Sequence, residues 1–254
     1  MSVANFDAAT FVIVLLGALV AGFTTGFAGF GTGLVSSGLW FHALPAPMVP
    51  PLVALASVAA QLIGLITVRK AFNWQRATPF LLGGVAGVPL GVAALSVASP
   101  TVLRLSVGVF LVTYALFQLC GLVRFKIANW GGSKANAAVG VGGGFLGGFA
   151  GLSGPLPLIW LQLRGGTSDQ QRAAYQPFNL VVLGIASMGM AVSGQIDKHV
   201  LTIAILCLPL TLIGAWIGAR IYKRVAEKTF RTVVLILLSI SGIILIGQTT
   251  LSWS

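Results

Sequence analysis

The sequence is dominated by runs that contain no Asp, Glu, Lys or Arg, and the first of them extends from Ala8 to Val68. A helix that spans a membrane needs about 20 apolar residues, so this one run has room for several passes or part-passes. Further charge-free runs follow it: Ala77–Leu103, Leu105–Val123, Ala135–Leu163, Ala173–Ile196, Val200–Ala219 and Thr232–Ser254. The pattern predicts a polytopic membrane protein.

The composition excludes a soluble fold, because charged residues make up only 7% of the chain and hydrophobic residues 57%. An ordinary soluble domain is about a quarter charged. The continuous apolar runs favour helices over the alternating strands of a membrane barrel. We therefore expect an all-α polytopic membrane protein, with residues 1–254 forming a single membrane transport domain.

The basic residues exceed the acidic ones, 15 to 4, and give a net charge of +11. They stand in short clusters between the apolar runs, where they meet lipid headgroups and do not form the continuous basic face that binds nucleic acid. Cys120 and Cys207 each lie inside an apolar run, which excludes a disulfide framework.

The chain repeats itself at an offset of 122 residues. The segment Gly26-Phe27-Ala28-Gly29 recurs as Gly148-Phe149-Ala150-Gly151, and Gly22-Phe23 recurs as Gly144-Phe145. Further matches at a slightly larger offset pair Gly87 with Gly214, Gly91 with Gly218 and Arg104 with Arg231. The order of these matches predicts two duplicated halves, residues 8–123 and 135–250.

Each half begins with an apolar segment that the glycine motif interrupts, Ala8–Leu44 and then Asn136–Leu163. Three ordinary helices are expected to follow in each half, over 47–68, 77–98 and 101–122, and over 173–194, 200–219 and 229–250. Basic loops lie on the cytoplasmic side of bacterial membranes. If each glycine-broken segment is a re-entrant hairpin, every basic residue except Arg104 and Lys198 becomes cytoplasmic, and the two halves are inverted repeats.

The paired Gly-Phe-Ala-Gly motifs, the two similar halves, the scarcity of acidic residues in the runs and the length resemble the sulfite exporter (TauE/SafE) family, also called toluene-sulfonate uptake permeases. The resemblance covers essentially the whole chain. It implies a secondary transporter of small sulfur-containing anions, such as sulfite or organosulfonates, in the bacterial inner membrane, with export as the favoured direction. Membrane lipids are the other expected partner, and the oligomeric state is left open.

The glycine motifs are the predicted substrate site on independent physical grounds. A broken helix exposes backbone N–H groups at an N-terminus that carries a partial positive charge, and glycine lets an anion approach that backbone closely. The first motif continues as Phe30-Gly31-Thr32-Gly33 and the second as Leu152-Ser153-Gly154-Pro155, so the halves should contribute differently to one site. The candidate substrate-binding residues are Gly29, Gly31, Thr32, Gly33, Gly151, Ser153, Gly154 and Asn179.

Each of these candidates has a structural alternative. Glycines in membrane helices commonly serve close helix packing. Asn179 lies inside a helix, where its amide either contacts the ligand or forms a hydrogen bond between helices. Of the other polar residues, Gln61 is expected to have a structural role. Tyr175, near a helix start, is expected to be an interfacial anchor.

The residue types that are missing exclude other mechanisms. No Asp or Glu lies in any charge-free run, so hydrolytic chemistry lacks its carboxylates, and two His and two Cys provide no metal site or cofactor anchor. We therefore expect no enzymatic activity, no metal and no cofactor. The alternative from another functional class is a membrane thiol or electron carrier that uses Cys120 and Cys207.

Overall fold

The computed structural model describes residues 7–68, 74–121, 127, 130–222 and 227–251, without the side chains of 65–68, 74–76, 168–169 and 227–231. This part of the chain forms ten α-helices joined by short connections. In chain order they are α1 (Ala8–Ala28), α2 (Thr32–Ala43), α3 (Val49–Val68), α4 (Trp74–Val97), α5 (Pro100–Leu119), α6 (Gly132–Ala150), α7 (Pro155–Arg164), α8 (Ser168–Val192), α9 (Lys198–Ile221) and α10 (Glu227–Leu251).

The all-helical class is confirmed, and the six ordinary helices begin and end within a few residues of the predicted bounds. Seven helices are long and apolar enough to cross a membrane: α1, α3, α4, α5, α8, α9 and α10. Together with exposed apolar side chains such as Leu82, Leu90 and Val192, they identify a multi-pass membrane protein.

Both predicted helix breaks are present at the glycine motifs. In each half a long helix, α1 or α6, is followed by a short one, α2 with 12 residues or α7 with 10. At a rise of 1.5 Å per residue the short helices extend about 18 and about 15 Å, roughly half of a 30 Å hydrocarbon core. Neither short helix can cross a membrane by itself.

Two helix pairs, α1 with α9 and α4 with α6, pack with their backbones in contact. A Cβ added to Gly26 would lie 1.9 Å from the carbonyl oxygen of Ala215, and one on Gly144 would lie 2.1 Å from that of Gly84. Both positions therefore accept only glycine in this packing. The first glycines of the repeated motifs serve close helix contact, and only their last residues lie at the breaks.

The centre of the molecule is formed by α3 and α8, which pack against each other. Helix α3 also contacts α1 and α9, and α8 contacts α4 and α6, so each central helix touches both members of a glycine-packed pair. Helices α5 and α10 form a third pair beside this centre. The arrangement brings both helix breaks against α3 and α8.

Candidate functional site

The first break lies between α1 and α2, and glycine makes its geometry possible. Gly29 ends α1 with φ 79°, and Gly31 precedes α2 with φ 110°. Both angles lie in the left-handed region, which residues with a Cβ rarely adopt. The chain can therefore stop one helix and start the next within three residues.

The second break lies between α6 and α7 and ends its first helix in a similar way. Gly151 has φ 74°, and its N–H donates to the carbonyl of Gly147, while the N–H of Leu152 donates to that of Leu146. This is a Schellman-type end, which satisfies the last carbonyls of α6 from its own backbone. Gly154, before α7, has an ordinary helical φ of −75°.

The two breaks touch each other. A Cβ on Gly33 would lie 2.7 Å from the carbonyl oxygen of Gly151 and 3.1 Å from a methyl carbon of Leu152. The start of α2 therefore packs directly on the end of α6. Residues separated by more than 100 positions in the sequence become neighbours here.

A small cavity lies between the breaks, with a volume of about 20 Å³. A space of this size holds about one water molecule, so an organosulfonate needs a wider opening of the same site. Residues of both breaks line it together with residues of α3 and α8: Phe30, Gly31, Thr32, Gly33, Leu34, Ser57, Gln61, Gly151, Leu152, Ser153, Gly154, Pro155, Asn179 and Leu183.

All the predicted site residues except Gly29 line this cavity. Gly31, Thr32 and Gly33 come from the first break, Gly151, Ser153 and Gly154 from the second, and Asn179 from α8. Gly29 lies behind the first break, where a Cβ would come within 3.1 Å of side chains of Arg172, Tyr175 and Gln176. That these residues bind a substrate stays a prediction.

The N-terminus of α2 presents backbone N–H groups to the cavity. Val35 makes the first intrahelical hydrogen bond, to the carbonyl of Gly31, and Gly31 has no side chain that could cap the helix. The N–H of Thr32 donates to Thr25 Oγ1 at 2.8 Å, and the two threonine hydroxyls are hydrogen-bonded to each other. The first-turn N–H groups of Gly33 and Leu34 remain without intrahelical acceptors, at the positive end of the helix dipole.

The N-terminus of α7 is poorer in donors. Its first intrahelical hydrogen bond runs from the N–H of Leu158 to the carbonyl of Gly154. Pro155 and Pro157, in the turn before it, have no N–H. Leu156 alone in that turn carries a backbone donor, so this helix end attracts an anion less strongly than α2 does.

Side chains supply donors beside α7. Ser153 Oγ donates to Asn179 Oδ1 at 2.9 Å, and a Cβ on Gly154 would lie 2.9 Å from Asn179 Nδ2. The hydroxyl proton of Ser153 is thereby directed at Asn179, and the amide N–H₂ of Asn179 becomes the donor that faces the second break. Asn179 thus lines the cavity and is hydrogen-bonded to the connection between α6 and α7. That its amide contacts the ligand stays a prediction.

Three buried polar atoms around the breaks have no hydrogen-bond partner: Ser57 Oγ, Gln61 Oε1 and Gln176 Oε1. Buried polar groups are normally paired, and exceptions concentrate where a ligand or water binds. Ser57 and Gln61 line the cavity itself. The sequence alone did not predict Ser57 or Gln176 as site residues. The signal that could have identified them is a polar side chain inside a charge-free run.

The carbonyl end of α1 is capped by side chains from α8 and α3. The guanidinium of Arg172 donates to the carbonyl of Phe27, Tyr175 Oη donates to that of Ala28 at 2.7 Å, and Gln61 Nε2 donates to that of Gly29 at 3.4 Å. Tyr175 is buried, which corrects its expected role as an interfacial anchor. Arg172 was counted with the cytoplasmic loop charges, yet only 2% of its surface is exposed.

The two cysteines lie apart from the site and both are free thiols. Cys120 is exposed at the end of α5, and Cys207 is buried in α9. Neither lines the cavity between the breaks. The thiol-carrier alternative receives no support from this arrangement.

Comparison with known proteins agrees with the geometry. The sequence model of the family described as "Sulfite exporter TauE/SafE" matches residues 14–245. The chain is also similar to the "Probable sulfite/organosulfonate exporter TauE" of Cupriavidus necator, with 28% identity over 214 residues that cover 81% of each protein. No solved structure matches the chain significantly.

Proposed function

The chain belongs to the sulfite exporter TauE/SafE family, and from this premise we propose that it exports a small sulfur oxyanion, sulfite or an organosulfonate, across the bacterial inner membrane. The observation that carries the proposal is the cavity between the two helix breaks. The start of α2 and Asn179 contribute N–H donors to its lining, and no carboxylate of the described residues lines it. Such a lining stabilises a negative charge and offers no group for hydrolysis, so a carrier is favoured over an enzyme.

An oxyanion is expected to bind the N–H donors of this cavity more strongly than a neutral ligand would. Hydrogen bonds from N–H groups to an oxyanion are about twice as strong as those between neutral groups. Two or three of them, at a helix start in a water-poor site, replace part of the hydration that a sulfonate loses on entry. Gly33 lets the two breaks approach each other this closely, because a Cβ there would lie 2.7 Å from the carbonyl oxygen of Gly151.

We further propose that residues 8–123 and 135–250 are inverted repeats, each with a re-entrant hairpin and three membrane-spanning helices. The proposal is supported by the packing, since the α1–α9 and α6–α4 contacts involve equivalent helices of the two halves. Matching glycines also occupy matching contacts: Gly26 packs on α9 and Gly148 on α4. The short helices α2 and α7 form the second arm of each proposed hairpin, and at about 18 and about 15 Å neither can add a crossing of its own.

Cysteine labelling tests the hairpins. In a Cys120→Ser background, single cysteines at Ser133 and Thr167, both exposed and on either side of α6–α7, should react from the same face of the membrane. A cysteine at Ser99, the exposed residue before α5, should react from the opposite face. Labelling of Ser133→Cys and Thr167→Cys from opposite faces overturns the re-entrant hairpin and the inverted repeat together.

Export of this kind needs no coupling ion. A negative interior favours the exit of each negative charge by about 2.3 kcal/mol per 100 mV. This corresponds to roughly a fifty-fold gradient for a monoanion. We therefore expect electrogenic efflux that follows the membrane potential and does not respond to a pH gradient at fixed potential, once substrate protonation is corrected.

Purified protein in liposomes tests the function directly. Efflux of sulfite, thiosulfate, sulfate, taurine and sulfoacetate is measured with the potential clamped by K⁺ and valinomycin. Saturable, potential-dependent efflux of sulfite or a sulfonate supports the proposal. Efflux driven by a pH gradient at zero potential refutes the electrogenic mechanism, and the absence of transport for every sulfur anion refutes the substrate class.

A further inference from the structure

Arg172 places a positive charge inside the molecule, at the carbonyl end of α1. It stands in the first half of α8, with its guanidinium carbon 3.7 Å from the ring centroid of Tyr222. A Cβ on Gly29 would lie 3.1 Å from Arg172 Nε, so the guanidinium lies against the backbone of the first break. Only 2% of the residue is exposed.

Among the described side chains, the groups around this charge compensate it only in part. A guanidinium is permanently charged, and burial of a charge is costly unless it is paired. The carbonyl end of α1 offers a partial negative charge, and the face of the Tyr222 ring offers a quadrupole. The two carboxylates whose side chains are described, Asp7 and Asp197, cap the starts of α1 and α9. Asp169, one turn before Arg172, is outside the described side chains.

A short polar connection joins Arg172 to the cavity. Gly29 lies between them, and a Cβ there would also come within 2.6 Å of Gln176 Nε2. Gln61 contacts the same peptide segment through the Gly29 carbonyl and lines the cavity. Both glutamines are buried, and the Oε1 atom of each has no hydrogen-bond partner. These side chains place polar groups between the guanidinium and the cavity.

We propose that Arg172 is the residue that sets charge selectivity: its guanidinium, acting through the Gly29 peptide and the carboxamides of Gln61 and Gln176, draws oxyanions into the cavity between the helix breaks. The proposal rests on the proposed function, because it assigns a role within that same site. Arg172 is a positioning residue here and makes no direct contact with the cavity. Its influence is electrostatic, so it must grow with the negative charge of the substrate.

Three two-carbon sulfonates of similar size provide the test: taurine with no net charge, ethanesulfonate with one negative charge and sulfoacetate with two. Arg172→Gln keeps an N–H donor for the Phe27 carbonyl and removes the charge, whereas Arg172→Lys keeps the charge. Coulomb energy is proportional to substrate charge, so Arg172→Gln should raise the KM of efflux about tenfold for ethanesulfonate and about a hundredfold for sulfoacetate. The KM for taurine and the maximal rates should change little, and Arg172→Lys should restore most of the affinity.

Lys198→Gln is the matched control, since it removes one positive charge from an exposed position at the start of α9. Its KM values should stay at the wild-type level. If Arg172→Gln does not fold, Gln176→Glu places a negative charge between Arg172 and the cavity and should give the same charge-dependent loss, while Gln176→Leu should affect all three sulfonates equally.

The outcomes separate the two proposals. An equal rise in KM for ethanesulfonate and sulfoacetate, or full activity of Arg172→Gln with failure of Arg172→Lys, reduces Arg172 to a helix cap and overturns the inference alone. A wild-type protein that transports none of the sulfonates and no sulfite overturns the proposed function, and the role of Arg172 falls with it.

Discussion

The two helix breaks occupy equivalent positions in the two halves of the chain, yet they offer different chemistry. The first presents the backbone N–H groups of Gly33 and Leu34 and has its carbonyl end capped by Arg172. The second begins its short helix with Pro155 and Pro157 and depends on the side chain of Asn179. The break is common to both predicted halves as a structural element, and its donors differ between them.

The carbonyl ends differ in the same way. At Gly29 a Cβ would meet the polar groups of Gln176 and Tyr175, whereas at Gly151 it would meet a methyl carbon of Val53. The end of α6 is closed by backbone hydrogen bonds from Gly151 and Leu152 to the carbonyls of Gly147 and Leu146. The carbonyl end of α1 therefore lies among polar and positively charged side chains, and that of α6 lies against an apolar one.

The largest effects are expected where the halves are alike. Gly26→Leu and Gly148→Leu would each force a side chain into an opposing backbone, whose carbonyl oxygen lies 1.9 and 2.5 Å from the added Cβ. Each should destabilise the protein by about 3 kcal/mol or more. Thermal unfolding in detergent should show both losses, and Gly184→Leu, where a Cβ meets no atom within 4 Å, should show little. If only one of these two leucine variants were destabilised, the α1–α9 and α4–α6 pairs would not be structurally equivalent.

The next effect concerns the donor of the second break. Asn179→Ala removes an amide that is expected to bond the anion, and hydrogen bonds to charged groups contribute about 1.5–3 kcal/mol. The KM for sulfite or a sulfonate should rise by roughly a factor of ten or more. Ser153→Ala should do less, because its hydroxyl proton already donates to Asn179. The double variant should match Asn179→Ala; additive losses would mean that Ser153 contacts the anion independently.

A smaller effect distinguishes the two carbonyl ends. Alanine at a left-handed position costs about 1–2 kcal/mol, so Gly29→Ala and Gly151→Ala should both lower the melting temperature. Val53→Ala should recover part of the loss for Gly151→Ala, since it removes the methyl carbon that lies 2.5 Å from the added Cβ. The same change should not help Gly29→Ala, whose neighbours are polar. Equal recovery of both variants would contradict the distinction drawn between the ends.

The smallest effect lies at the starts of the two long helices. Asp7 caps α1 by accepting a hydrogen bond from the Thr10 N–H at 3.1 Å, whereas Gly131 before α6 has no capping side chain. Hydrogen bonds from Thr10 lower the pKa of Asp7 below its ordinary value. The cap therefore stabilises α1 fully above the unfolded pKa of about 3.9 and is lost as the pH falls through the lower, folded pKa.

Hydrogen–deuterium exchange, corrected for the intrinsic rate, measures this difference. The first turn of α1 should begin to lose protection below about pH 3.9 and should lose the rest as the pH falls through the folded pKa of Asp7, whereas the first turn of α6 should not change. Asp7→Asn should make α1 as insensitive to pH as α6. A pH response at α6 of the same size would show that the two starts are not distinguished by their caps.

Much of the fold follows from local patterns. Charge-free runs predict membrane helices because a charge in lipid is costly, and glycine motifs predict breaks because a backbone with positive φ favours glycine. The prolines of α7 were also visible in the sequence, and the difference between Thr32-Gly33 and Gly154-Pro155 already indicated that the halves contribute unequally. These local patterns select the candidate site residues, and the tertiary packing brings all of them except Gly29 into one cavity.

Other features depend on contacts between distant segments, and no local pattern reports them. Gly26 and Gly29 belong to one motif, yet only the packing of α1 on α9 makes the first a contact residue and leaves the second at the break. Thr25 bonds to Thr32 because the break folds the chain back on itself. Gln176 reaches Gly29 because the first half of α8 lies at the carbonyl end of α1.

The sequence by itself determined the helices, their interruptions and the family, since each depends on residues that are adjacent in the chain. The tertiary structure alone decided the electrostatics of the site. Arg172 stands at the edge of an apolar run, where the positive-inside rule predicts a loop residue whose charge faces the lipid headgroups. The arginine is turned inward only because α8 docks against the carbonyl end of α1. Three carbonyls there have no partner within the helix, and they require donors that the local sequence does not supply.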